Sequence, residues 1–108
     1  RWRDFFQGFG VVLLPVSLTA AIRHDHSTPF SAREIEVDGR TRLYSDQFKW
    51  MGLTGVSWLP ATVVPIGQIG GKPVGVQLAG PFLEDRTPLA AARFLQTALG
   101  GFKRPEGF

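Results

Sequence analysis

The first apolar residues, Trp2, Phe5, Phe6 and Phe9, recur at i, i+3, i+4 and i+7. That spacing predicts an amphipathic helix with one aromatic face. Val11-Val12-Leu13-Leu14-Pro15 is a continuous apolar run stopped by proline, the pattern of a buried strand. Ser17 to Ser31 has no period and reads as a long loop. Ile35-Glu36-Val37 and Arg40-Thr41-Arg42-Leu43 then alternate around Asp38-Gly39. This predicts a hairpin, because glycine tolerates positive φ and aspartate bonds its own local backbone.

In the second half, Tyr44, Phe48, Met51 and Val56 suit a helix weakened by Gly52 and Gly55. Thr62 to Ile66 is β-branched apart from Pro65, which cannot donate to a ladder and belongs on an edge, at a bulge or at the strand end. Gln68 to Lys72 supplies a turn. Pro73 to Leu78 forms a second strand, with Val74, Val76 and Leu78 on one face and Gly75 and Gln77 on the other. The missing side chain of Gly75 would let another backbone approach. Thr87-Pro88 signals a helix start, with threonine as cap and proline at the first helical position. Leu89, Ala92, Leu95 and Leu99 make its central stripe, Ala91, Phe94 and Ala98 widen it, and Gly100-Gly101 ends it. Helix, strand, hairpin, helix, strand, strand, helix is an order that suits layered α/β packing.

With 44% hydrophobic and 12% aromatic residues, the 108-residue chain is not of the disordered class. It fits one domain at most, and its core is thin. Because residue 1 is an arginine that opens directly into an amphipathic pattern, the expectation is a fragment of a larger protein. The net charge of +3 comes from basic residues scattered along the chain, not clustered as nucleic-acid surfaces require, so no nucleic-acid partner is expected. No apolar run reaches about 18 residues, so no membrane partner is expected either. The absence of cysteine fits a reducing compartment, and the expected location is the cytoplasm.

Three groups of residues invite a chemical reading. His24-Asp25-His26 offers two imidazoles and a carboxylate, standard ligands for zinc or iron, but no third strong ligand stands at helical spacing nearby. The plainer alternative is a solvated loop in which Asp25 orders its own turn. Ser45 and Lys49, at i and i+4 on the predicted helix, could meet as nucleophile and base, yet no glycine-rich backbone accompanies them to hold an oxyanion. Gly55-Val56-Ser57-Trp58-Leu59 holds half of a nucleophile elbow, lacks the closing glycine and follows no predicted strand. None of these is a self-sufficient active site, and neither a metal nor a cofactor is expected.

Leu59-Pro60-Ala61 leading into Val64-Pro65-Ile66-Gly67, then Pro73-Val74-Gly75-Val76-Gln77-Leu78 ending at Gly80-Pro81, resembles the C-terminal hallmark of amidase signature hydrolases. Val11 to Pro15, Val37-Asp38-Gly39 and the last helix extend the similarity over nearly the whole chain. The resemblance implies residues 1–108 as one piece of an amidase-type domain, the C-terminal part of an α/β/α fold with mixed sheet strands covered by helices. It also implies, for the intact enzyme, hydrolysis of a small-molecule amide by a serine, a second serine in a cis peptide linkage and a lysine, in a glycine- and serine-rich segment upstream that has no counterpart here. The 108-residue chain alone is then expected to be inactive. Phe48 and Gly52, one turn apart in the helix before Leu59, are implied pocket-lining residues; the alternative for Phe48 is plain core. Gly55 stands where the family often has asparagine, and Trp58 where it often has glycine. A different expectation is a stand-alone structural module that forms a homo-oligomer through the aromatic surface of Trp2, Phe5 and Phe9.

Overall fold

The computed structural model describes residues 1–104 and 107. Its elements are α1 (Trp2–Gly8), β1 (Val12–Pro15), β2 (Glu34–Val37), β3 (Arg40–Leu43), α2 (Lys49–Val56), β4 (Ala61–Ile69), β5 (Lys72–Ala79) and α3 (Arg86–Leu99). Short 3-10 turns cover Phe30–Ala32 and Tyr44–Phe48. The α/β class expected from the sequence stands.

The core sheet has the order β1-β5-β4, and both pairings are antiparallel. Directly opposed residues share a face. Leu13, Leu78 and Thr62 therefore lie on one face, and Leu14, Gln77 and Val63 on the other. Leu78 and Val64 are buried on the first, and Leu14, Gln77 and Ala79 on the second, so the central strand is covered from both sides. Gln77 brings an amide into this apolar setting, and its Nε2 has no hydrogen-bond partner.

The predicted turns form where their residues allow. Asp38 and Gly39 take φ of 51° and 71° between the paired strands β2 and β3, the doubly left-handed turn that matches strand twist. Gly70 and Gly71, at 56° and 75°, close the β4–β5 hairpin in the same way. The ladder slips between Pro65 and Gly67, so Pro65 sits at a bulge, one of the positions its missing donor permits. A Cβ built on Gly75 would lie 2.9 Å from Val63 Cγ1 and 3.0 Å from the Val64 carbonyl oxygen. That is the close approach its absent side chain foretold.

Four expectations are corrected. The β1 run is half-buried: Leu14 is enclosed but Leu13 is 56% exposed, because an edge strand is packed less completely than a central one. The helix predicted from Tyr44 begins as a 3-10 turn and becomes α-helical only at Lys49. The last helix starts at Arg86, so Pro88 is its third residue, where a missing N–H still loses no intrahelical bond. Thr87 caps nothing, since its hydroxyl donates to Glu84 Oε2 at 2.9 Å. The face of α3 that settles on β4 and β5 is Pro88, Ala91, Ala92 and Leu95. Leu89, Phe94 and Leu99 remain exposed, because the three-stranded sheet is too narrow and too short to cover them.

Candidate functional site

Phe48 ends the 3-10 turn and Gly52 lies one turn later in α2. Phe48 belongs to an aromatic group: Tyr44 meets it edge-on at 5.9 Å between ring centroids, Phe30 stacks on it at 6.4 Å, and Phe30 meets Tyr44 edge-on at 5.2 Å. The Arg33 guanidinium lies 5.2 Å from the Phe30 ring centroid, within cation–π range. Phe48 is nevertheless 42% exposed, as are large parts of Phe30 and Met51. No heavy atom lies within 4 Å of where a Gly52 Cβ would stand. An apolar, partly open wall is thus built from the 3-10 turn before β2, the turn after β3 and the start of α2.

The other candidates do not assemble into reactive sites. His24 and His26 stand edge to face at 5.9 Å, and among the described residues no group of three or more metal-ligating side chains comes together. Asp25 instead accepts the Ser27 backbone N–H at 2.8 Å. Hydrogen bonds from the Ser27 side chain and backbone hold its carboxyl below the usual carboxylate range. Lys49 places Nζ 2.8 Å from Asp46 Oδ1, while Arg42 approaches Oδ2 at 3.5 Å. A lysine committed to a carboxylate in this way is not free to act as a base toward Ser45. Ser57 accepts a hydrogen bond from Trp2 Nε1 at 3.0 Å, which ties α1 to the end of α2.

Among the described residues, cavities also lie away from this wall, and two of them carry mixed linings. One, of about 590 Å³, opens between residues 19–25, β2 and Lys72, whose Nζ donates to the Ala21 carbonyl at 2.6 Å. His24 and Asp25 line it among ionic neighbours of both signs, including Arg23, Glu34 and Glu36. The second, of about 510 Å³, lies between α1 and the β5–α3 connection and is walled chiefly by Trp2, Phe6, Leu59, Pro81 and Phe82. The sequence reading missed it. Its walls come from three distant stretches, and neither periodicity nor motif spacing reports that Trp2 reaches Ser57 across 55 positions.

No protein-family model matches the chain. Among curated relatives, fatty-acid amide hydrolase 2-A of Danio rerio is 33% identical over 89% of this chain and 16% of its own length. A glutamyl-tRNA(Gln) amidotransferase subunit from Rubrobacter xylanophilus is 34% identical over 92% and 18%. Indoleacetamide hydrolase of Bradyrhizobium japonicum is 33% identical over 84% and 18%. A crystal structure of an amidase superposes with a TM-score of 0.71 at 27% identity, over 88% of this chain and 21% of that one. The chain thus spans about one-sixth to one-fifth of the length of the proteins it matches. Sequence and fold agree over most of its residues, and the chain is a relative of the amidase signature family, corresponding to one segment of its members.

Proposed function

We propose that residues 1–108 are part of an amidase-type hydrolase of carbon–nitrogen bonds, and that the reacting groups stand outside this segment. The observation that carries the reading is the joint match of sequence and fold to amide-hydrolysing relatives. The chain's own residues support the division of labour. Ser45 lacks a free base because Lys49 is engaged by Asp46, and Ser57 is held by Trp2.

In this reading a serine upstream attacks the amide carbonyl, the nitrogen departs as the amine after taking a proton, and water hydrolyses the resulting ester. A second serine and a lysine, also upstream, move the protons. This segment contributes sheet strands, a covering helix and a pocket wall at Phe48 and Gly52. The open, apolar surround of Phe48 supports that role, since it gives a substrate's apolar part an area to cover. The substrate is a small-molecule amide.

The test is hydrolysis measured as ammonia or amine release from simple amides. The 108-residue chain is expected to release none, and a longer version of the protein carrying a glycine- and serine-rich stretch upstream is expected to do so. Turnover by residues 1–108 that is lost on changing Ser45 or Lys49 would overturn the reading.

The exposed aromatic ladder of α1 favours a second reading, an oligomerising module. Phe5 stacks on Phe9 at 4.8 Å, yet Phe9 is 60% exposed, so one end of the ladder is open to a second copy. Light scattering that gives a discrete dimer, lost in Phe9→Ser, would support that reading over the first.

A further inference from the structure

The core sheet has two outer strands, β1 and β4, and the alternation of hydrogen bonds in an antiparallel ladder decides which of their backbone groups are free. Gly80 N donates to the Pro60 carbonyl at 2.9 Å. The bonded pairs between β4 and β5 are therefore Pro60 with Gly80, Thr62 with Leu78 and Val64 with Val76. Gln77 and Ala79, which alternate with these, turn their groups to β1, where they meet Leu14 and Val12. Leu13 stands between those pairs. Its N–H and C=O point away from β5 to the open side of the sheet, and the alternation puts the Val11 N–H and the Pro15 carbonyl in the same row. From Val11 to Pro15 no residue is charged, so this edge lacks the charges that keep other strands away.

Packing leaves the same strand open. Gly80 shares a face of the sheet with Leu78 and Leu13, and a Cβ built on it would stand 2.5 Å from Pro88 Cδ, so α3 covers this face. It sits chiefly over β4 and reaches β5. No helix lies over β1 on that side, and Leu13 is 56% exposed. The placement of α3 closes the other edge instead. Two β4 strands paired at a spacing of about 4.8 Å would press two copies of α3 closer than the roughly 8–10 Å that packed helices need. Pro65 and the bulge after it also interrupt the free row of β4. A second β1 meets neither obstacle.

We propose that the open edge of β1 is a seam between two copies of this chain, joined antiparallel about a two-fold axis at Leu13 into one continuous sheet. The edge is complementary to itself, as an isologous contact requires. Each Leu13 N–H donates to the second copy's Leu13 carbonyl, and each Val11 N–H donates to the second copy's Pro15 carbonyl. The N–H that proline lacks is missed only at the ends of the seam. The two Leu13 side chains meet on the bare strip between the two α3 helices. The surface available is sufficient: the chain exposes 8379 Å², roughly 2,400 Å² more than a self-contained globule of its mass, and a stable dimer buries about 1,600 Å². The proposal rests on the self-associating reading above and moves its seam from the aromatic ladder to the sheet; it takes nothing from the amide-hydrolase reading.

The test is backbone amide exchange on the unaltered chain, with sedimentation of the same samples, over about a hundredfold range of concentration. A discrete dimer is expected. As it forms, exchange of the Leu13 amide is expected to slow at least about tenfold, while the Ala61 and Val63 amides keep their rates. Leu13→Pro removes one outward N–H and no bond to β5, and Leu13→Lys sets like charges against each other across the axis. Each is expected to weaken the dimer at least about tenfold, and Val63→Lys, on the other edge, is expected to leave it unchanged. A dimer in which the Leu13 amide does not slow, slowing at Ala61 and Val63 in its place, full dimer strength in both Leu13 variants, or assembly that runs on past two copies would each overturn the proposal. If the dimer survives both Leu13 changes and is lost in Phe9→Ser, self-association stands and its seam is the aromatic ladder. A chain that stays monomeric throughout sinks both.

Discussion

At the scale of single residues, Trp58 sets local preference against retained bulk. Left-handed backbone costs a non-glycine residue about 1–2 kcal/mol, and glycine loses about 0.5–1 kcal/mol in chain entropy on folding. Since Trp58 is 80% exposed, replacing it forfeits little burial, and strain relief wins. Trp58→Gly is expected to raise stability by about 0.5 kcal/mol, read as a higher urea midpoint. Trp58→Ala retains the Cβ clash and should gain nothing, so an equal gain from both variants would rule out the strain argument. Asp46 gives a pH-dependent counterpart. The hydrogen bond from Lys49, then its charge, and finally Arg42 lower the Asp46 carboxyl below its ordinary 3.8. A depressed folded-state value means stability that is complete above the unfolded value and lost as pH falls through the lower folded one. Asp46→Asn is expected to lower stability slightly at neutral pH, where the contribution is complete, and to flatten the fall below about pH 4, so that the two profiles converge in acid. An identical acid limb in both proteins would show that the ion cluster contributes nothing.

At the scale of elements, legibility in the sequence follows how local the determining physics is. The Asp38-Gly39 hairpin, the Gly70-Gly71 turn and the bulge at Pro65 were all readable, since each depends on the φ preference or missing donor of the residue itself. The seating of α3 was readable only in part. Its apolar stripe names Ala91, Ala92 and Leu95, which meet the sheet with Pro88, but it also names Leu89 and Leu99, which do not, because seating is decided by what lies beneath. The candidate site divides in the same way. Phe48 and Gly52 were singled out by the resemblance alone, which implies a pocket wall on the helix before Leu59, whereas the cavity walled by Trp2, Leu59 and Phe82 depends on long-range packing. Gly80 marks where α3 is seated: a Cβ there would stand 2.5 Å from Pro88 Cδ, while Gly80 N donates to the Pro60 carbonyl at 2.9 Å. Neither the ring nor the strand can yield. Gly80→Ala is expected to cost about 1–3 kcal/mol in urea unfolding, while Gly10→Ala, with nothing within 4 Å of its Cβ, should change stability by less than about 0.5 kcal/mol. Equal effects would mean that α3 is not held against the β5 terminus.

At the scale of the whole molecule, surface area decides what kind of object this is. The chain exposes 8379 Å² and has a radius of gyration of 15.9 Å. A self-contained globule of its mass would expose about 5,900 Å² and measure about 13 Å. The excess, roughly 2,400 Å², is as large as the area buried in stable protein interfaces, and much of it is apolar: Phe9, Leu13, Val56, Trp58, Phe94 and Phe102 each have at least half of their surface in solvent. Burial that is missing inside the chain must be found by association, or stability is forgone. Two consequences follow for the purified chain. Its denaturant m-value should fall clearly below that of other proteins near 108 residues, because unfolding exposes less new surface. Its melting temperature should rise as concentration increases about a hundredfold, because a state that buries apolar area between copies is favoured by mass action. Sedimentation over the same range should show mass increasing with concentration. A concentration-independent melt with an ordinary m-value would mean that the chain closes its own core in solution, and the reading of its exposed apolar surface as a face awaiting other polypeptide would be abandoned.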